Sequence, residues 1–238
     1  MFPFKPKPAS RPSHGQMAVR NRYADIKEWI KTERPTIVDG GASSGSTIAL
    51  LLKQYEAPTI HAFEPNPDAA HALKRQYAAL PNVKVYEQAL GAESKRLSFN
   101  VLNRASSSSM LIPSAVNHRY HAGEMEVRRV VQVDQVRLDE VLPVFDIDLL
   151  KLDLQGYELE ALKGCEKRLD RVKTITTEVE FVPLYEGQAL FADIDAYLRG
   201  HGFRLLNLYE LFTHPDGQLT AGDAVYLNER VFSMGDAR

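Results

Sequence analysis

The chain has 238 residues, 44% of them hydrophobic and 25% charged, with a formal net charge of -2. That length suits one α/β domain with some decoration and leaves two full domains cramped. The charge balance excludes the strong basic excess of a nucleic-acid binder, the single cysteine, Cys165, excludes a disulfide within the chain, and no apolar run approaches the ~20 residues that cross a bilayer.

Residues 1–15 place Pro3, Pro6, Pro8 and Pro12 among Lys5, Lys7 and Arg11. They read as an extended, flexible segment, with no apolar stretch of a signal peptide. The expected compartment is the cytoplasm. Residues 16–238 are expected to form one domain.

Val19, Tyr23, Ile26 and Ile30 have helical spacing within 16–34, and Pro35 ends that helix. A repeat of strand and helix then begins. Strands are expected at 36–39, 59–63 and 83–86, with helices at 45–55 and 68–80 between them. From 95 to 135 the pattern changes to alternation, as at Leu97, Phe99 and Val101. Two strands at a sheet margin, joined by a long mobile loop, are expected there. The repeat resumes with strands at 147–152, 172–179 and 203–208 and helices at 158–167 and 191–201. A short antiparallel strand at 224–227 closes the chain. Such alternation specifies an α/β fold with a doubly wound, mostly parallel sheet.

Ligands of such sheets bind beyond the carboxyl ends of the strands. The first strand ends there in Asp39-Gly40-Gly41-Ala42-Ser43-Ser44-Gly45. Glycines let the backbone turn sharply and approach a ligand. The spacing fits neither G-x-G-x-x-G nor a P-loop, since no lysine follows Gly45. An acid in the turn suits a cationic amine better than a phosphate, and S-adenosylmethionine carries such an amine. Glu64 ends the second strand, 25 positions after Asp39. An acid at about that spacing accepts the hydroxyls of a ribose, and Pro65 stiffens its loop. By topology, Gln88 and Ala89 after the third strand lie near the adenine.

Asp153 ends the fourth strand and faces the same crevice. It is the first candidate base for an attacking hydroxyl, with Glu178 second and His118 third. Glu178 and Glu180 end the fifth strand and are expected to diverge, one toward the crevice and one away. Asp153 with Glu178 or Glu180 offers carboxylates to a divalent metal, and Mg²⁺ is one option. The seven histidines form no zinc motif.

Taken together, these segments resemble the FkbM family of methyltransferases. The resemblance rests on Asp39 to Gly45, Phe63-Glu64-Pro65, Ala89-Leu90-Gly91, Leu138-Asp139-Glu140-Val141-Leu142, Lys151-Leu152-Asp153-Leu154-Gln155-Gly156-Tyr157-Glu158 and Leu162-Lys163-Gly164. It covers about residues 36–208. Ser43 stands where the family usually has Asn, and Gln155 where it usually has Glu. The resemblance implies a Rossmann-like class I methyltransferase fold, with sheet order 3-2-1-4-5-7-6 and strand 7 antiparallel. It also implies S-adenosyl-L-methionine as cofactor and methylation of a hydroxyl on a sugar, glycan or natural product. Asp153-Leu154-Gln155-Gly156 differs from the N/D-P-P-Y/F run of enzymes that methylate base amino groups. The expected partner is a small-molecule or carbohydrate acceptor, with no nucleic acid and with a homodimer open as an assembly. The competing readings are an NAD-dependent oxidoreductase and a cofactor-binding module without catalysis.

Overall fold

The computed structural model describes residues 21–121, 123, 125–142 and 146–232. The proline-rich stretch 1–15 lies outside the described residues. Local chemistry sets the first elements. Asn21 caps α1 (Arg22–Ile30) by accepting the Ala24 N–H at 3.1 Å. The apolar run β1 (Thr36–Gly40) breaks at its glycines, and α2 (Ser46–Gln54) follows. After β2 (Thr59–Phe63), Asn66 caps α3 (Pro67–Gln76), whose first residue is a proline suited to that position. Then come β3 (Val83–Tyr86), β4 (Ala89–Leu90), β5 (Lys95–Leu102), α4 (Asn117–Tyr120), β6 (Val127–Val136) and α5 (Leu138–Val141). The chain continues through β7 (Ile147–Leu152), α6 (Glu158–Lys163), β8 (Val172–Glu180), α7 (Phe191–Gly200), β9 (Phe203–Thr213) and β10 (Leu219–Asn228).

The main sheet has seven strands in the order β3-β2-β1-β7-β8-β10-β9. Counting only its own members, this is 3-2-1-4-5-7-6, as expected. The first five run parallel, and β10 is antiparallel to both β8 and β9. Neighbouring residues of each strand point to opposite faces. Ile37, Leu149 and Val225 accordingly enter one apolar cluster. Val38, Leu150 and Tyr226, one position on, enter the other. Strand order reverses between β1 and β7, which opens a crevice at their carboxyl ends.

Four expectations change. The 95–135 region does not extend the main sheet; β5 and β6 join β4 in a separate three-stranded sheet, ordered β4-β6-β5. The loop between them is structured, with a 3₁₀ turn at Ala105–Ser107 as well as α4. The last two strands are longer than expected, 11 and 10 residues. The added residues pair with one another, Tyr209, Phe212 and Thr213 with Asp223, Ala221 and Leu219, so the antiparallel ladder carries both strands on. Helix α6 stops at Lys163; a turn at Gly164 and Cys165 and a 3₁₀ segment, Glu166–Arg171, take the place of the rest of the expected helix.

Candidate active site

The glycine turn is shaped by its neighbours. Gly41 has a φ of +75°, and a Cβ there would lie 1.9 Å from the Asp153 carbonyl oxygen. Gly45 has a φ of +78°, and its Cβ would lie 2.7 Å from a Leu73 methyl. Only glycine lets β7 and α3 approach the turn this closely. Ser43 also takes a left-handed φ, +47°, a conformation that Asn tolerates better than other side chains.

Glu64 ties this turn to the second one. Its Oε2 accepts the Ser43 N–H at 2.7 Å and its Oε1 accepts the Asn66 N–H at 2.8 Å. It is 5% exposed, and burial raises its carboxyl above the usual range despite those two bonds. Each carboxylate oxygen keeps a second lone pair.

Asp39 is fully buried beneath the turn. Its partner is Lys151, a buried lysine of β7, whose Nζ lies 2.9 Å from Asp39 Oδ1. The same ammonium donates to the carbonyls of Gly40 at 3.1 Å and Gly41 at 2.8 Å. Burial disfavours this charge, but Asp39 and then Asp153 outweigh it and raise the ammonium above its ordinary range. Asp39 therefore fixes the turn from below.

Past the end of β7, Asp153 sits beside Gln155. The Gln155 Nε2 donates to Asp153 Oδ1 at 2.9 Å and to Glu178 Oε2 at 2.5 Å. Burial, then the charge of Asp153, pushes the Glu178 carboxyl well up. Glu180 is raised for the same reason, with Glu158 as its largest charged neighbour. Glu178 and Glu180 do not diverge. Residues two apart on a strand share a face, and both feel Asp153 and Glu158.

One cavity joins these parts. It is lined by the turn from Gly41 to Ser44 with Ser46 and Thr47, by Glu64, Pro65 and Asn66, by Ala89 and Leu90, and by Lys151, Asp153, Gln155 and Tyr157. Phe99, Ala105, Ser106, Ser108 and Met110 of the inserted region cover it. Of the sequence candidates, Gly41, Ala42, Ser43, Glu64, Pro65, Ala89 and Asp153 meet here. Asp39, Gly40 and Gly45 lie behind the wall, and Gln88 is half-buried in the loop before β4. Glu178 stands behind Gln155. His118 falls on α4, and its side chain is outside the described atoms. Among the described residues no group of three or more His, Cys, Asp or Glu side chains is arranged to hold a metal. The expected Mg²⁺ site thus has no support, because an amide occupies the space between Asp153 and Glu178.

Residues 39–205 match the family described as the methyltransferase FkbM domain. The chain belongs to the FkbM methyltransferase family. It is 30% identical to methyltransferase sdnD of Sordaria araneosa over 71% of this chain and 73% of that one. It is 28% identical to the 2-O-methyltransferase NoeI of Sinorhizobium fredii, over 70% and 72%. It is 24% identical to the 31-O-demethyl-FK506 methyltransferase FkbM of Streptomyces tacrolimicus, over 71% and 73%. This FkbM-family protein is an S-adenosylmethionine-dependent methyltransferase, which sets aside both the oxidoreductase and the silent module. No helix among its described residues is long and apolar enough to cross a membrane.

Three features of this FkbM-family site were not assigned a role from sequence. Lys151 lay inside a quoted motif, yet a lysine within a buried strand is itself a signal, because such a charge needs a partner. Gln155 was noted only as a lost carboxylate. Tyr185 has no sequence signal, since its place depends on contacts across the fold; the cover at 105–110 falls in the long loop expected within 95–135, and only its place over the cavity depends on the fold.

Proposed function

We propose that the enzyme transfers the methyl group of S-adenosylmethionine to a hydroxyl oxygen of a small-molecule or carbohydrate acceptor, with Asp153 as general base. The observation that carries this reading is the place of Asp153. It stands at the switch point of the sheet, lines the cavity and keeps its side chain 42% exposed.

The residues present fit the cofactor. Glu64 offers its remaining lone pairs to a ribose, charge-assisted bonds of about 1.5–3 kcal/mol each. The N–H groups at the start of α2, with Ser44, Ser46 and Thr47, suit an anionic carboxylate. Ala89 and Leu90 supply an apolar wall for a base. S-adenosylmethionine supplies an electrophilic methyl carbon on a sulfonium sulfur. The protein aligns an alcohol oxygen with that carbon, and such positioning contributes on the order of 7–11 kcal/mol. Asp153 would take the proton of the attacking alcohol, while the methyl–sulfur bond breaks and S-adenosylhomocysteine leaves with the electron pair on sulfur. Glu178, half-buried and pushed toward its protonated form, is the weaker candidate for that proton. The names of two relatives, a 2-O-methyltransferase and a 31-O-demethyl-FK506 methyltransferase, support oxygen as the atom methylated.

Transfer of labelled methyl from S-adenosylmethionine to a panel of sugars, glycan fragments and hydroxylated natural products tests this. Asp153→Asn should lower kcat about 10²- to 10³-fold on any acceptor found, within the range of general-base catalysis. Its affinity for S-adenosylhomocysteine should stay within about twofold by calorimetry. Undiminished kcat in the variant would remove Asp153 from the role.

A further inference from the structure

Two carboxyl groups that face one another need something between them: a proton, a cation, or a donor group. Asp153 and Glu178 meet in this way, and the side chain of Gln155 lies between them. Its orientation is set by chemistry. The Asp153 carboxylate accepts and does not donate, so the end turned to it must be the NH₂ group. The other end, Oε1, lies 2.9 Å from the hydroxyl of Tyr185, which donates to it. That tyrosine is 1% exposed and also lies 2.8 Å from the Ser107 carbonyl, sharing its single proton between the two acceptors. Both amide hydrogens are thus used, one on each acid.

The backbone at this position is held as firmly as the side chain. Gln155 has a φ of +56°, a left-handed conformation unfavourable for a residue with a Cβ. Its carbonyl accepts from the Ser109 hydroxyl at 2.7 Å, which ties it to the segment covering the cavity. At Gly156 a Cβ would lie 3.0 Å from Gln188 Cβ and 3.2 Å from the Tyr185 ring. Strain of this kind persists where the surroundings over-determine it, and it clusters at working sites.

We propose that Gln155 is a positioning residue that takes the place of a bridging cation: its NH₂ group holds Asp153 and Glu178 in register and makes the site independent of metal. Asp153 Oδ1 is occupied by the amide. Oδ2, 3.9 Å from Lys151, is left as the oxygen that takes a proton. This last step rests on the reading of Asp153 as the base; the bridge itself does not.

The test is divalent cation binding by the full chain, read by calorimetry and by the electron paramagnetic resonance signal of Mn²⁺. Gln155→Glu keeps the shape of the side chain and removes both N–H donors. It should bind one Mn²⁺ per chain at least tenfold more tightly than the wild type, and Mn²⁺ should raise its melting temperature. Gln155→Met removes the donors without adding charge, and covers the case in which the glutamate variant does not fold. It should bind Mn²⁺ more weakly than Gln155→Glu but more tightly than the wild type. Both variants should keep the far-ultraviolet circular dichroism of the wild type, which a general loss of structure would not allow. The proposal is overturned if a folded variant binds Mn²⁺ no better than the wild type, or if the wild type already binds it as tightly. Gain of Mn²⁺ binding alongside full activity in Asp153→Asn would leave the bridge standing and remove only the base. The reverse pattern would remove only the bridge.

Discussion

At the scale of single residues, the site is organised by charges that the fold pairs out of contact with water. Lys151 is the central case. It is 4% exposed, holds Asp39 by charge and holds the turn carbonyls by hydrogen bonds. A buried pair is weak grounds for net stability, but removing one partner strands the other charge. Lys151→Met should therefore destabilise the protein by about 3–5 kcal/mol, measured by urea unfolding. Asp39→Asn with Lys151→Met, which removes both charges, should recover part of that loss. A single variant as stable as the wild type would show that Asp39 finds another partner.

At the scale of elements, the cavity is made by two pieces that are distant in the chain. The ends of β1, β2 and β7 supply its floor and walls, and the strand–loop–strand region between β5 and β6 supplies its cover. Hydrogen bonds pin that cover: Ser109 to the Gln155 carbonyl, Tyr185 to Ser107, the Leu102 N–H to the Ser108 hydroxyl, Asn100 to the Leu111 carbonyl, and the paired backbone contacts of Asn100 with Ser109. Ser109→Ala removes the side-chain pin while leaving the backbone pair, a loss of about 1 kcal/mol. Amide exchange at 105–110 should then accelerate several-fold with little change in the main sheet. Unchanged exchange would mean that the cover is held by packing alone.

At the scale of the whole molecule, the buried acids set how stability depends on pH. Burial, opposed by its backbone hydrogen bonds, pushes Glu158 up to about 7 from 4.5. In the window between those values the folded state keeps a proton that the unfolded state releases. Stability therefore falls as pH rises through the window and is steady below it. Glu178 and Glu180 act with the same sign. His61, lowered to about 4 by burial, acts with the opposite sign, losing stability as pH falls below 6.5. The difference between wild type and Glu158→Gln isolates one group: the variant should lose less stability between pH 5 and 7.5 in urea titrations. Parallel curves would show that Glu158 ionises freely in the folded protein.

Much of the fold was readable along the chain, because short apolar-rich stretches bounded by turn residues mark strands. The strands 59–63, 83–86 and 147–152 are found at the residues expected. So was the main-sheet order, once the strand–helix alternation was joined to a family resemblance. The separate small sheet was not readable, since alternation at Leu97, Phe99 and Val101 marks a strand without naming its partner. The site divides along the same line. Sequence determined which residues stand at strand ends: the glycine turn, Glu64 and Asp153, all placed by local chain chemistry. Only the tertiary structure decided what they touch. It gave Asp39 a buried partner in Lys151, and made Gln155 a link between two carboxyl groups where the sequence shows only a missing one. The physical reason is that a polar side chain's role depends on its partner in space, and those partners lie 112 and 23 residues away along the chain.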